Sequence, residues 1–576
     1  MGYTSERNNQ IVIELLKYHG IKKVVVSPGA TNVSIVASLQ SDPFFELYSS
    51  VDERSAAYLA CGLSEESGGI VALSCTGATA SRNYFPGLTE AYYRKLPILA
   101  ITSTMPINKI GHNIPQMLDR TNVTNDIAKA SFYIPYVDNL DDEWECTVKV
   151  NEAILELKHN GAGPVHINVE TKQGGTFDVK KIDFVQPIDR IGVRDQFPNI
   201  SNGKKVAIFV GAHSKWSEEL TKCVNGFCEQ YNAVVIGDHT SNYKGPYFVP
   251  TSLVTNQRNK KEQFRDLDLM IHLGNMSGAY LGVLPKEVWR VNSDGKICDT
   301  YKKLRYVFEM DEMDFFSHYV QSEHRKDTSY FELWKQEYTN LYNNIGELPF
   351  SNVWIAKRIA GELPNNSILH LGILNSLRSW NYFEIPSSVL TYCNTGGFGI
   401  DGIMSSALGA SFATEKIIFC ILGDLAFFYD MNSIGNRALK KNLRVMVINN
   451  GHGQEFRTFG HRASQFGDDT DKYIAAAGHY GNKSKTLIKH YAEDLGFEYI
   501  SADSKESFEK SYKRYITKET TSKPIIFEVF TNNEEETEAT KLITELNGEA
   551  GSAAKHFAKQ ILGDKGVKVI KGLIKG

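Results

Sequence analysis

The feature that most constrains this chain is a repeated alternation. Short runs rich in Val and Ile each end in a turn of small residues and give way to a stretch with helical periodicity. IKKVVV (21–26) leads into SPGATN, GIVALS (69–74) into CTGATA and PILAIT (97–102) into STMP, and GPVHINVE (163–170) closes the first third. Such runs are apolar on both faces, as strands of a buried parallel sheet must be, and the helical stretches are the crossovers that parallel pairing needs. A second set begins near residue 204 with KKVAIFVG, NAVVIG, LDLMIHLG and RYVFEM (305–310). A third begins near 351 with SILHLG, VLTYC, KIIFCILGD, LRVMVINN and PIIFEVF (524–530). The pattern predicts an α/β protein of three doubly wound parallel-sheet domains, over 1–180, 195–340 and 351–545, with linkers near 172–200 and 340–352. A chain of 576 residues also exceeds what one hydrophobic core can organise.

The stretch 546–576 breaks the alternation. Lys555, Lys559, Lys565, Lys568, Lys571 and Lys575 are interleaved with Phe557, Ile561, Leu562, Val567 and Ile570. This is a basic amphipathic tail that packs on the protein's own surface, closes over a site, or makes weak contact with an anionic membrane. Gly563, Gly566 and Gly572 weaken a continuous helix by about 1 kcal/mol each.

A formal net charge of −4 argues against a nucleic-acid partner, which would favour a basic surface. The eight cysteines form no CxxC pair and no Cys/His cluster with zinc spacing. They read as small buried hydrophobes in a reducing compartment. MGYTSERNNQ lacks the basic-then-apolar order of a signal peptide, and no apolar run is long enough to cross a bilayer, so the expected location is cytoplasmic.

In an open parallel sheet, ligands bind beyond the carboxyl ends of the strands. Two of the expected strand ends in the third domain carry chemistry: KIIFCIL ends in Gly423-Asp424 and LRVMVI in Asn449-Asn450. A helix of roughly 12–15 residues would account for the chain between them. One carboxylate, one amide oxygen and a main-chain carbonyl form a hard oxygen set suited to a divalent cation that also binds phosphate. Gly423 would let a diphosphate approach the backbone, and a following helix N-terminus favours negative charge. Read singly, GD is a capped loop and NN a turn; the pair at neighbouring strand ends points to a metal–diphosphate site.

This pairing resembles the signature of thiamine diphosphate-dependent enzymes of the acetolactate synthase and pyruvate decarboxylase kind. The resemblance implies that Asp424, the Asn450 side chain and the His452 carbonyl hold Mg2+, or Mn2+ or Ca2+ in its place. It also implies that Gly423, Leu425, Gly453, Ser376, Gly397, Gly399 and Ile400 meet the cofactor. SPGATN, VDERSAAYLACGLS and CTGATASRNYFPGLTEAYYRKLPILAITS resemble the pyrimidine-binding domain of the same family. There the resemblance implies cofactor contacts from Pro28, Gly29, Thr76 and Asn83. It makes Glu53 the carboxyl that exchanges a proton with the cofactor's aminopyrimidine, although a Glu in a first helical turn is ordinarily only a match to the helix dipole. The family builds each site from two subunits, which implies a homodimer or homotetramer. His112 and Gln116 in IGHNIPQMLD occupy a loop where relatives place cofactor-facing polar groups, so both are candidate catalytic residues.

Within the family the likeness is greatest to the menaquinone-pathway synthases that join decarboxylated 2-oxoglutarate to isochorismate. It is carried by LGILNSLRSW, NTGGFGIDGIMSSALGAS and GDLAFFYDMNS. Where those synthases hold carboxylates with arginines, this chain has Thr31, Met105, Trp380 and Thr395, with Arg378 two residues away. Bidentate Arg–carboxylate pairing is hard to replace, so a less anionic, sugar- or aldehyde-like acceptor is expected. Gln454, Glu455, Arg457 and His461 follow the metal turn and are candidate substrate residues, although a solvated surface segment would read the same way. The middle domain lacks GxGxxG and reads as a spacer. The implied reaction decarboxylates a 2-oxo acid and passes the acyl carbanion to a second carbonyl compound. A simple decarboxylase, a cofactor-binding protein without turnover and, distantly, a flavin-linked oxidase remain as alternatives.

Overall fold

The computed structural model describes residues 2–119, 123–278, 281–321, 326–458, 460–479 and 483–547. The tail lysines from Lys555 onward lie outside the described residues. The chain forms two compact units, one of residues 1–196 with 294–309 and one of 197–293 with 310–576.

The first unit is built on six parallel strands: β1 (Lys23–Val26), β2 (Glu46–Ser49), β3 (Val71–Cys75), β4 (Ile98–Thr104), β5 (Ser131–Ile134) and β6 (Val165–Glu170). Their order is β2-β1-β3-β4-β6-β5. Alternate residues of a strand face opposite sides, and here they feed two separate cores. Val24, Ala72, Leu99 and Val165 pack against the helices Arg7–Tyr18 and Leu140–Glu156 on one side. Val25, Val71, Leu73 and Ile98 pack against Glu53–Ser67 and Phe85–Tyr93 on the other. The sheet is therefore doubly wound, as expected. β7 (Asp189–Gly192) lies in the stretch read as a linker. It pairs in parallel with the strand Leu304–Glu309. RYVFEM supplies that Leu304–Glu309 strand.

The second unit holds two more parallel sheets. One comprises β8 (Val206–Val210), β9 (Ala233–Gly237), β10 (Phe248–Pro250), β12 (Leu269–Leu273) and β14 (Val288–Val291), with a separate short pair of β11 (Asp266–Leu267) and β13 (Leu284–Pro285). Within it β10, β9, β8, β12 and β14 are neighbours in that order. After β15, the Leu304–Glu309 strand, the other sheet follows: β16 (Ile368–Leu371), β17 (Leu390–Tyr392), β18 (Ile418–Gly423), β19 (Leu443–Asn449), β20 (Glu498–Ala502) and β21 (Ile525–Phe530). Its order is β17-β16-β18-β19-β21-β20.

The register of this last sheet positions the site. Gly423 stands opposite Ile448, and Asn449 opposite Phe530. The Gly423-Asp424 and Asn449-Asn450 turns therefore leave adjacent strands at the same carboxyl edge. The link between them differs from expectation. A seven-residue helix, Asp424–Asp430, is followed by a 3-10 turn, Met431–Gly435, before the chain reaches β19. The helix stops at Asp430, whose backbone (φ −123°, ψ 12°) leaves the helical region and whose carboxylate accepts the Ser405 N–H (2.6 Å) and hydroxyl (2.5 Å).

Candidate active site

In the second unit, a cavity of about 510 Å³ opens at the carboxyl edge of β16, β18 and β19. Gly423, Asp424, Leu425, Asn450, His452 and Gly453 form one part of its wall, and Ser376, Ile400 and Gln454 another. The sheet thus gathers most of the residues assigned to the diphosphate end. A Cβ on Gly423 would meet nothing within 4 Å, so the backbone there is open to a ligand.

Asp424 begins its helix with its side chain only 5% exposed. Burial pushes its carboxyl up to about 7, against the lowering pull of the Leu425 and Gly451 N–H groups, and the buried Glu528 carboxyl raises it further. A cation reverses that logic by favouring the ionised form. Asn450 accepts the His452 N–H through Oδ1 at 3.1 Å and donates through Nδ2 to Gln454 Oε1 at 3.3 Å. The resulting Asx turn folds the segment 450–454 against the cavity. Beneath it, Asn449 Nδ2 donates to Glu528 Oε1 at 2.7 Å, and the Tyr499 hydroxyl donates to Glu528 Oε2 at 2.7 Å. Among the described residues no three His, Cys, Asp or Glu side chains converge as a metal cluster. A cation at Asp424 would take one carboxylate and one amide oxygen and complete its shell from main chain, phosphate and water, as a hard divalent ion does.

Leu374, between β16 and the helix Asn375–Trp380, has φ +67° and ψ −113°. A branched side chain rarely adopts this conformation, and such strain concentrates at binding sites. Leu374 lines the cavity together with Ile373 and Asn375.

Two wall residues escape sequence reasoning. Glu536, 5% exposed, accepts the Asn352 N–H at 3.0 Å and the Thr531 hydroxyl at 2.7 Å. Burial pushes its carboxyl up to about 7. Asn352 also lines the cavity and donates to the Ser376 hydroxyl at 3.3 Å. The available signal was the buried face Glu536, Ala539, Ile543 of the helix Asn533–Thr544, obscured by Glu534 and Glu535, which read as exposed acids matching a helix N-terminus.

The substrate-side candidates are scattered. Trp380 is fully buried, its Nε1 donating to Asn352 Oδ1 at 3.3 Å and its carbonyl accepting from His239 Nε2 at 3.0 Å. It faces the core, because it shares the buried side of its helix with Leu377, and it is corrected from a substrate-facing to a packing residue. Thr395 is likewise buried and does not line the cavity. Arg378 ion-pairs with Glu455, and of the two only Glu455 lines the cavity. Arg457 is tied to Asp468 at 2.9 Å and faces Asp471 at 3.6 Å. His461 Nδ1 accepts the Ala463 N–H at 3.1 Å, capping a 3-10 turn. Gly397 and Gly399 also lie off the cavity wall, although the adjoining Ile400 is on it.

In the first unit, the matching residues gather at the carboxyl edge of the first sheet. Pro28 and Gly29 follow β1, and Thr76 follows β3. A Cβ on Gly29 would stand 2.6 Å from Thr76 Cγ2, and the Thr31 and Thr76 hydroxyls bond to each other. Glu53 opens the helix Glu53–Ser67 behind the Asp52 cap, whose side chain accepts the Ser55 N–H at 2.8 Å. The half-buried Glu53 carboxyl accepts from Asn83 Nδ2 at 3.5 Å. His112 and Gln116 are exposed on their loop, Gln116 with φ +66°.

Comparison with known proteins agrees with this geometry. Residues 7–123 match the family model described as "Thiamine pyrophosphate enzyme, N-terminal TPP binding domain", and residues 375–529 match the corresponding C-terminal TPP binding domain. The chain is 31% identical to the 2-succinyl-5-enolpyruvyl-6-hydroxy-3-cyclohexene-1-carboxylate synthase of Phocaeicola vulgatus, over 93% of this chain and 97% of that protein. It is 31% identical to the same synthase of Bacteroides thetaiotaomicron, over 92% and 97%, and 30% identical to that of Bacteroides fragilis, over 92% and 97%.

Proposed function

The chain belongs to the thiamine pyrophosphate enzyme family, and on that premise we propose that it is a synthase that decarboxylates a 2-oxo acid and joins the acyl fragment to a second carbonyl compound. The observation that carries the assignment is the shared cavity wall of Gly423, Asp424, Asn450 and His452 at two adjacent strand ends. When bound, thiamine diphosphate supplies the electron sink that makes carbon–carbon cleavage beside a carbonyl accessible.

Asp424, the Asn450 side chain and the His452 carbonyl would hold Mg2+, and Mn2+ or Ca2+ suits the same oxygen donors. The donor set fits the group, since a buried carboxylate pushed up to about 7 by its surroundings gains most from a facing cation. Ser376, Leu425 and Gly453 line the cavity where the diphosphate would lie, and Ile400 supplies a bulky apolar side chain to the same wall. Glu53 would exchange a proton with the pyrimidine ring, its carboxyl held by the Asn83 amide. Pro28, Gly29 and Thr76 would shape that end of the cofactor site, and Gln116 and His112, exposed on their loop, would supply its polar groups.

Each complete site joins Asp424 of one subunit to Glu53 of another in a homodimer or homotetramer located in the cytoplasm. The donor is a 2-oxo acid. The acceptor is a weakly anionic carbonyl compound, because Thr31 and Met105 stand where the resemblance places arginine, and Arg378 is held by Glu455.

The test is incubation of the loaded enzyme with pyruvate or 2-oxoglutarate, with and without candidate aldehydes, followed by product mass. A product combining both partners supports the synthase, whereas the free aldehyde of the donor in every mixture makes the protein a simple decarboxylase. Glu53→Gln is expected to lose carbon dioxide release while still binding thiamine diphosphate.

A further inference from the structure

A second cavity, of about 260 Å³, lies in the second unit away from the site described above, between the segment after β9 and the segment 384–387. Its wall includes Lys244, Lys335, His239, Ser241 and Glu384, with Tyr243, Phe248 and Ile385 supplying apolar surface. The charges do not balance. The one acid in this wall, Glu384, is ion-paired with Lys335. His239 is buried, which pushes its imidazole down to about 4 and keeps it neutral. Its Nε2–H is committed to the carbonyls of Trp380 (3.0 Å) and Phe383 (2.9 Å). The Tyr243 hydroxyl is committed to Asn225 Oδ1 at 2.6 Å.

Lys244 is thereby left half-buried in the wall, and among the described residues no carboxylate forms an ion pair with it. Withdrawing an ammonium from water without a counter-charge is costly, and a group kept in that condition within a cavity marks a binding-site candidate. Burial alone pushes its amine down to about 8. The positive charge, the Ser241 and Ser387 hydroxyls in the lining and the neighbouring aromatic and aliphatic faces together describe a complementary ligand.

We propose that the Lys244 cavity is a second binding site, for a small organic anion that sets one carboxylate or phosphate group against the Lys244 ammonium and an apolar body against Tyr243, Phe248 and Ile385. The proposal is independent of the catalytic reading. His239 and Glu384 of this wall lie on the segments that flank and follow the helix Asn375–Trp380, but the ligand itself would stand outside the cofactor cavity.

Trace acetylation of the full-length, cofactor-loaded protein at pH 8, read by mass spectrometry, tests it. A lysine with a lowered proton affinity acetylates faster than its exposed neighbours, and an anion beside it protects by restoring its proton and by occlusion. Benzoate and inorganic phosphate serve as separate probes for the two head groups, and benzamide as the uncharged control. Lys244 labelling is expected to fall by roughly tenfold when an effective anion stands at about ten times its dissociation constant, with the exposed Lys510, outside this wall, unchanged and benzamide without effect. Lys244→Met should abolish the anion-dependent rise in melting temperature. Failure of that variant to fold leaves the labelling of the unaltered protein as the deciding result. The proposal is overturned if neither anion protects, if benzamide protects equally, or if Lys244 resists labelling without any anion.

Discussion

Two parallel sheets in the second unit offer the same kind of crevice and use it differently. In each, strand order reverses at one point, between β8 and β12 in the first sheet and between β16 and β18 in the second, and ligands in such sheets bind at that reversal. In the β8–β12 sheet the two loops seal against each other. The Asn275 N–H donates to the Ala212 carbonyl at 2.8 Å, and a Cβ on Gly211 would overlap the Asn275 carbonyl. In the β16–β18 sheet the loops part. Gly423 has open space before it, and Leu374 holds a strained backbone at the rim of a large cavity. Topology gives both sheets the opportunity, and loop chemistry decides which becomes a site.

Alanine at the two glycines separates these roles. Gly211→Ala forces a methyl group into a backbone carbonyl and should destabilise the protein by about 3 kcal/mol, read as a large fall in the denaturation midpoint. Equal stability of the variant would mean the crevice is not sealed as described.

A second contrast is in pH. Glu536, in the cavity wall, titrates near 7 when folded against 4.5 ordinarily. The folded state therefore holds the extra proton between those values, and this contribution is complete below 4.5 and lost as pH rises through about 7. His239 works oppositely, titrating near 4 when folded against 6.5. Its contribution is complete above 6.5 and lost as pH falls toward 4. Each carries about 1–3 kcal/mol. Glu536→Gln should lessen the decline between 4.5 and 7, to which Asp424 also contributes, and His239→Gln the acid-side decline, in urea titrations across pH. Unchanged profiles would remove the assigned cause.

The smallest effect belongs to the open glycine. Gly423→Ala, at φ −77°, should fold normally and weaken thiamine diphosphate binding by about tenfold, roughly 1.4 kcal/mol. A fall in stability with intact binding would reverse the comparison.

The strands that organise these crevices were legible because they are apolar on both faces. β1, β3, β4, β8, β18 and β19 all coincide with runs of Val, Ile and Leu. β2 and β20 were not, because as edge strands they keep partly exposed, mixed residues such as Glu46 and Glu498. The Gly423-Asp424 and Asn449-Asn450 turns are legible as strand ends, but the short helix between them stops where Asp430 turns back to Ser405, a tertiary contact that spacing does not encode. Trp380 and Glu536 show the same limit in opposite directions. An aromatic aligned with a substrate position turned inward beside Leu377, and an acid in a run of surface-like glutamates turned toward the cavity.

The central claim is that Asp424 and Asn450 bind a divalent cation that anchors the diphosphate of thiamine diphosphate. Calorimetric titration of the full-length protein with the cofactor, with Mg2+ and again with chelator, tests it most directly. The account predicts saturable uptake that requires Mg2+ and weakens by about a hundredfold or more, near 3 kcal/mol, in Asp424→Ala. Uptake of equal strength with chelator, or undiminished by that substitution, would contradict it.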